Sequence, residues 1–580
     1  MRRRPLLGCV ATAGALALLC APASAVIVQT PAGTVSYAPR NGGGPSGRAQ
    51  TAGGNLTWHG GPVMHANKSY AIAWDPTSAF PAGYMTLMSQ YVGDVAADSG
   101  QSTNVYSVGS QYTDSTGRAS YSSTSGGSLV DSDAYPASSG CPVVSGFTKC
   151  LTNAQLRAEL NSFVTTNSLP RGLATIYYLF LPAQVDVCFD PAGTTCFSNV
   201  FCAYHDHTAA SGTETIYAAM PYGADFPSGC GTGQHPNSAV SSVGDDELSV
   251  LSHEANEAIT DPTLTAWYDS ANNENGDKCR NTADDYGTSL GGSSGFLYNQ
   301  LINADHYYLQ REWGNGAGGC EQRNALPTAA FSAPAPTAGV SASFSGAGSA
   351  DSDGGISGYA WNFGDGGTGS GVTPSHAYAT SGTRTVNLTV TDVNGFTAST
   401  GHMVSVAART TSTSAACNPS SVPVGTGTAC TATVTDTSPP SASSPQGTVA
   451  FSSSGTGGSF SAPTCTLTPA GSGVSSCQVT YAPGRLGSGS ELIGGGYSGD
   501  AAHVGSSGST SIAVVNSTGV DGSASTTPIT STTSPLVPRK KCRRHRRHHR
   551  HCKRHRSLVS AESGRSRTRT WDLFLIREAL

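Results

Sequence analysis

Cysteines divide this chain into stretches that close on themselves. Of sixteen, eight fall between Cys141 and Cys320 and four between Cys417 and Cys477. Even counts in each stretch point to disulfides formed within it, so the two stretches are expected to be cross-linked separately. Of the 105 pairings that eight cysteines allow, the expectation for the first is Cys141–Cys150, Cys188–Cys196, Cys202–Cys230 and Cys279–Cys320, a choice that spacing alone does not fix. The remaining four lie outside both, Cys9 and Cys20 at the start and Cys542 and Cys552 near the end.

Disulfides need an oxidising compartment, and the N-terminus supplies the address. MRRRPLLGCVATAGALALLCAPASA has a basic head, a short apolar run and the small-residue end Ala23-Ser24-Ala25, which is the pattern of a secretory signal cleaved after Ala25. No later stretch approaches the roughly 18 apolar residues of a membrane span, so the mature chain is expected to be secreted and soluble. At 580 residues with 71 Gly and 12% charged residues, it suits three or four extracellular, β-rich modules on flexible joints. The formal charge of -5 is an average of opposites. Residues 539–556, RKKCRRHRRHHRHCKRHR, hold eleven of the Lys and Arg, and the rest of the chain without them stands at -16.

The pattern of apolar residues changes near residue 323. Residues 26–54 are Gly- and Pro-rich and read as a flexible N-terminal segment. Beyond them, Tyr70–Trp74, LATIYYLFL (173–181) and TIYAAMPY (215–222) read as strands, the second continuous enough to be covered on both faces. Between them, Met85, Met88, Tyr91, Val92 and Val95 have helical spacing, and a second helix opens near Thr152. Residues 55–323 are therefore expected to form one α/β or α+β domain. After it, ISGYAWNFGDG (356–366) and TVNLTVTDVNG (385–395) alternate apolar and polar residues, the period of half-buried antiparallel strands. DSDGGISGYAWNFGDGGTG and HAYATSGTRTVNLTVTD closely resemble a PKD domain, an immunoglobulin-like sandwich, over 325–408. CNPSSVPVGTGTACTATVTD, SCQVTYAP and GGYSGDAAH, within 409–516, resemble a bacterial Ig-like repeat. The fold class is thus multidomain, an N-terminal domain with a zincin-like helix followed by two all-β sandwiches. A Ser/Thr/Pro linker (517–538), the basic tail (539–556) and an uninterpreted end (557–580) follow.

The segment SVLSHEANEAITDP (249–262) carries the chemistry. Gly244-Asp245-Asp246-Glu247 opens a helix with acidic residues placed to cap it and oppose its dipole, and Pro262 stops it. Leu248, Leu251, Ala255, Ala258 and Ile259 form one arc, and His253, Glu257 and Asp261 the opposite one. An i, i+4 pair of His and Glu can hold one divalent ion, with Glu254 beside it as a general base. Zinc suits the His, and calcium or manganese suit the carboxylates. A solvated polar face is the competing reading of the same helix.

HEANEAITDPTLTAWYDSANNENGDKC (253–279), LTWHGGPVMHANKSYAIAWDP (56–76) and CAYHDH (202–207) together resemble the exordium family of phosphate-induced secreted proteins and their bacterial relatives, over about 55–323. The resemblance implies His253 and Glu257 as metal ligands, Glu254 as the base, and Asp277 of G-D-K-C as third ligand, with Glu274 and His205 behind it. Plant members carry Asn at the position of Asp261, which is therefore not counted. The family implies a cell-wall-associated role outside the cell without fixing a reaction.

Other motifs carry less. GGSSG (291–295) fits G-x-S-x-G but lacks a leading strand. His205 and His207 also read as loop residues anchored by Cys202, His59 and His65 as structural, and Asp351, Asp353 and Asp365 as turn formers that could take calcium. The basic tail lacks interleaved aromatics and suits anionic cell-wall polymer or a membrane surface better than any specific nucleic acid. Its histidines can take up metal nonspecifically. Two function classes follow. One is a secreted metal-dependent, peptidase-like hydrolase acting on extracellular protein or polysaccharide. The other is a noncatalytic adhesion or cell-wall interaction protein.

Overall fold

The computed structural model describes residues 27–30, 33–40, 54–210, 212–280, 285–455 and 457–516. The signal sequence, the Ser/Thr/Pro linker, the basic tail and residues 557–580 lie outside them. Among the described residues no helix is long and apolar enough to cross a membrane.

The N-terminal part is built on one mixed sheet of seven strands. In chain order these are β1 (Val28–Thr30), β2 (Gly33–Pro39), β3 (Asn67–Trp74), β4 (Ser123–Asp131), β5 (Thr175–Phe180), β6 (Phe201–Ala210) and β7 (Thr213–Met220). Across the sheet they run β1-β2-β6-β7-β5-β3-β4. The β7–β5, β5–β3 and β3–β4 pairs are parallel, and the β1–β2–β6–β7 side is antiparallel. The expected strand in LATIYYLFL is β5, near the middle, with all six residues buried as its unbroken apolar run requires. β2 corrects an expectation. Residues 26–54 read as flexible, yet Val35, Tyr37 and Ala38 are buried in the core and β2 pairs along β6.

Three longer helices pack in this part, α1 (Tyr84–Ala97), α2 (Asn153–Thr166) and α3 (Asp245–Thr260), besides shorter helical turns. In α2, Thr152 accepts from the Gln155 backbone N–H while the Gln155 side chain returns to the Thr152 N–H, a capping box that explains why the helix starts there. α3 packs on β6 and β7. It departs from the sequence reading in two ways. Its N-cap is Gly244 with no side-chain cap, because Asp245, Asp246 and Glu247 in the first turn bind elsewhere, to Asn237, His235 and Tyr84. And every residue of the helix is buried, the polar arc as well as the apolar one. A solvated face is excluded.

Among the described residues beyond 323 the chain is all β. One core gathers Phe344, Trp361, Phe363, Tyr378, Leu388 and Val404 between a two-stranded and a four-stranded sheet. A second gathers Val434, Val449, Tyr481, Ile493 and Tyr497 between two five-stranded sheets. Among the described residues six disulfides form within the expected groups. The four N-terminal pairs are those predicted, joined by Cys417–Cys430 and Cys465–Cys477. The joints are tied. Asn324 donates to Asp392, and Arg118 to the carbonyl of Val393. Buried Arg409 reaches Ala338 O at 3.1 Å on one side and Asp436 Oδ2 at 2.6 Å on the other.

Candidate metal centre

α3 lies against β6 and β2, and a loop after it, residues 269–280, folds back over its second half. Asp269 shapes that loop by accepting the backbone N–H groups of Ala271 and Asn273, and Lys278 Nζ reaches Asp269 Oδ2 at 3.0 Å. The Cys279–Cys320 disulfide holds its far end. Gly276 lets the loop approach the helix. A Cβ there would lie 2.6 Å from His253 Nδ1 and 2.9 Å from Glu257 Oε1, so no larger residue fits.

The predicted ligands meet. His253 Nε2 is 3.2 Å from Glu257 Oε1 and 3.6 Å from Asp277 Oδ1, and all three side chains are fully buried. Asp277 is aimed by its own backbone. Its N–H donates to Glu257 Oε1 at 2.9 Å, and its Oδ2 accepts the Glu274 N–H at 3.1 Å. Oδ1 is left without a hydrogen bond, as are His253 Nε2, Glu257 Oε2 and both oxygens of Glu274. Buried polar atoms rarely stay unpaired, and unpaired carboxylates are the costliest of them.

The electrostatics agree. Burial pushes the Glu257 carboxyl well up, and repulsion from Asp277, Glu274 and Glu254 adds to it. Asp277, Glu274 and Glu312 are raised by the same causes, burial foremost. Burial pushes His253 well down, helped by Arg280. In this interior the acids resist ionisation and His253 resists protonation, burial being the first cause of both. The donor set of one imidazole and two carboxylates fits a divalent ion such as zinc. Gln310 Nε2, fixed by Gly276 O at 2.6 Å, faces His253 Nδ1 at 3.1 Å.

The remaining candidates separate. Glu254 points away from His253. Its Oε1 accepts the Ala38 N–H of β2 at 3.0 Å, and Oε2 faces His205 Nδ1 at 3.2 Å. His205 is not a loop residue. It is buried within β6, in register with Ser36 and Ala218, and its Nε2 is 3.7 Å from Glu274 Oε1. His207 pairs with Glu214 at 2.8 Å. Asp261 is a loop-former, with Oδ1 accepting the Thr265 and Ala266 N–H groups at 2.6 and 2.7 Å. His59 stacks on Tyr268, His65 pairs with Asp114, and Asp365 with His376. Ser293 lies in a turn, accepting the Phe296 N–H, with no strand–helix elbow. Sequence reasoning missed Glu312, Gln310 and Arg280. The segments that carry them, LQREW (309–313) and KCR (278–280), show no metal-ligand spacing, whereas the alternation in FCAYHDHT could have placed His205 on a strand. The open cleft of 470 Å³ lined by Trp58, Val63, His65 and Asp114 shares no residue with this cluster.

Residues 324–407 match the PKD domain family and are a PKD domain. The PKD1 domain of Vibrio anguillarum Epp is 40% identical, covering 15% of this chain and 98% of that one at TM-score 0.14. The PKD1 domain of the Vibrio cholerae metalloprotease PrtV is 34% identical, covering 14% of this chain and 99% of that one at TM-score 0.13. A microbial collagenase of Vibrio alginolyticus is 38% identical over 86 residues, 15% of this chain. The chain spans 11% of that collagenase's length.

Proposed function

We propose that the chain is an extracellular metalloprotein whose domain at 55–323, a bacterial relative of the exordium family, is a metal-dependent, peptidase-like hydrolase. The observation that carries this is the convergence of His253, Glu257 and Asp277 inside the fold: the unpaired His253 Nε2 lies 3.6 Å from the unpaired Asp277 Oδ1 and 3.2 Å from Glu257 Oε1. Six disulfides and a PKD domain suit a secreted or cell-surface protein. A divalent ion held by these three residues would act as a Lewis acid toward a carbonyl or ester oxygen. In this reading Glu254, one residue along the helix, is the general base; its Oε1 accepts the Ala38 N–H of β2 and its Oε2 faces His205. Reaction therefore requires β2 to yield.

A second reading has its own observation. Every ligand atom is enclosed and both Glu254 oxygens are engaged, which favours a structural ion in a noncatalytic surface protein. The experiment measures peptide and ester hydrolysis alongside metal content in wild type, Glu254→Gln and His253→Ala. A hydrolase loses about 10²–10⁴-fold in Glu254→Gln while an ion persists at His253, since that is the usual contribution of a general base. Absence of any cleavage by metal-loaded wild type, with His253→Ala still lowering the melting temperature, selects the structural reading.

A further inference from the structure

Glu257 presents its two oxygens to two different histidines. Oε1 is 3.2 Å from His253 Nε2, and Oε2 is 3.6 Å from His205 Nδ1. His205 Nδ1 also lies 3.2 Å from Glu254 Oε2. The cluster thus resolves into two triads with one shared member: His253, Glu257 and Asp277 on one side, and His205, Glu254 and Glu257 on the other. Ligand atoms around a tetrahedral ion at about 2.0–2.2 Å stand about 3.3–3.6 Å apart. The four separations, 3.2 and 3.6 Å in each triad, match that spacing.

Buried carboxylates crowd both triads. Glu254, Glu257, Glu274, Asp277 and Glu312 are all enclosed, and Asp261 has one oxygen held by two backbone N–H groups and the other unpaired. Such a set is costly to charge without cations, and divalent ions supply them. Glu274, buried with both oxygens unpaired and 3.7 Å from the second ring nitrogen of His205, borders the second position.

We infer that the site holds two divalent ions bridged by Glu257, the second bound by His205 and Glu254. It rests on the first ion's reading and makes Glu254 a ligand. Bridged ions about 3.5–4 Å apart clamp both the attacking and the leaving oxygen of a hydrolytic substrate, so a phosphoester joins the peptide and ester substrates to be tried.

The test uses the full chain with the five tail histidines changed to Ala, so that tail-bound metal does not count. Metal content is measured after dialysis, and Mn²⁺ titration is followed by electron paramagnetic resonance. Two ions per chain with an exchange-coupled Mn²⁺ spectrum are expected. His205→Ala, and Glu254→Gln independently, should fall to one ion with an isolated six-line signal. One ion per chain in wild type, with an uncoupled signal, overturns the bridged pair and leaves the single-ion reading standing. No bound ion overturns both. Because the wild-type stoichiometry and spectrum decide by themselves, a variant that fails to fold does not blunt the test.

Discussion

Gly276→Ala probes the centre without touching a ligand. The backbone at Gly276 has φ -69°, which any residue adopts, so the substitution acts through space alone. The new methyl would lie 2.6 Å from His253 Nδ1 against about 3.5 Å at van der Waals contact, an overlap of about 0.9 Å. It would also lie 2.9 Å from Glu257 Oε1. His253 is held by the buried helix, so the loop carrying Asp277 must retreat. Metal–ligand distances tolerate about 0.2 Å, several times less than this displacement. Zinc affinity should fall by about 10–100-fold, the usual cost of disturbing the groups that orient ligands. The metal-free fold should lose about 1–3 kcal/mol from overpacking. Competition against a chromophoric chelator measures the first, and urea denaturation in the presence of a chelator the second. Wild-type affinity in a variant that shows the stability loss would refute the idea that this loop positions a ligand.

Two other changes follow from the structure. The buried Glu247 carboxyl is pushed up to about 8 by desolvation, so folding takes up a proton wherever the unfolded carboxyl is ionised. Its contribution is present at low pH and declines as pH rises from about 4.5 to 8; Glu247→Gln should shrink the fall in melting temperature between pH 5 and 8, and an unchanged fall would count against it. Arg409→Met strands Asp436 in the interior and severs the link to Ala338, and denaturant unfolding of the β modules should show a loss of about 3–5 kcal/mol, less in the Arg409→Met, Asp436→Leu double variant.

What could be read from the sequence was what local chemistry dictates. The unbroken apolar run of β5, the helix start near Thr152 and the short Cys141–Cys150 and Cys188–Cys196 loops each need only nearby residues. His253 and Glu257 share a helix face for the same reason, and the G-D-K-C loop offered Asp277 as their partner. What stayed hidden depends on packing between distant segments. Nothing in α3 says that its polar arc is covered, because the cover comes from β2, more than 200 residues earlier, through the Ala38–Glu254 bond. β2 itself was masked by its Gly- and Pro-rich flanks although Val35 and Tyr37 alternate correctly. Glu312 and Gln310 come from a third segment whose local pattern is unremarkable, and only the tertiary fold adds them to the cluster.

The account's central claim is that a divalent ion occupies the space enclosed by His253, Glu257 and Asp277. Anomalous diffraction at the zinc edge from crystals of zinc-loaded protein tests it most directly. The account predicts an anomalous peak about 2.0–2.2 Å from His253 Nε2 and from a carboxylate oxygen of Glu257. Ordered density for all three side chains with no anomalous peak among them would contradict it.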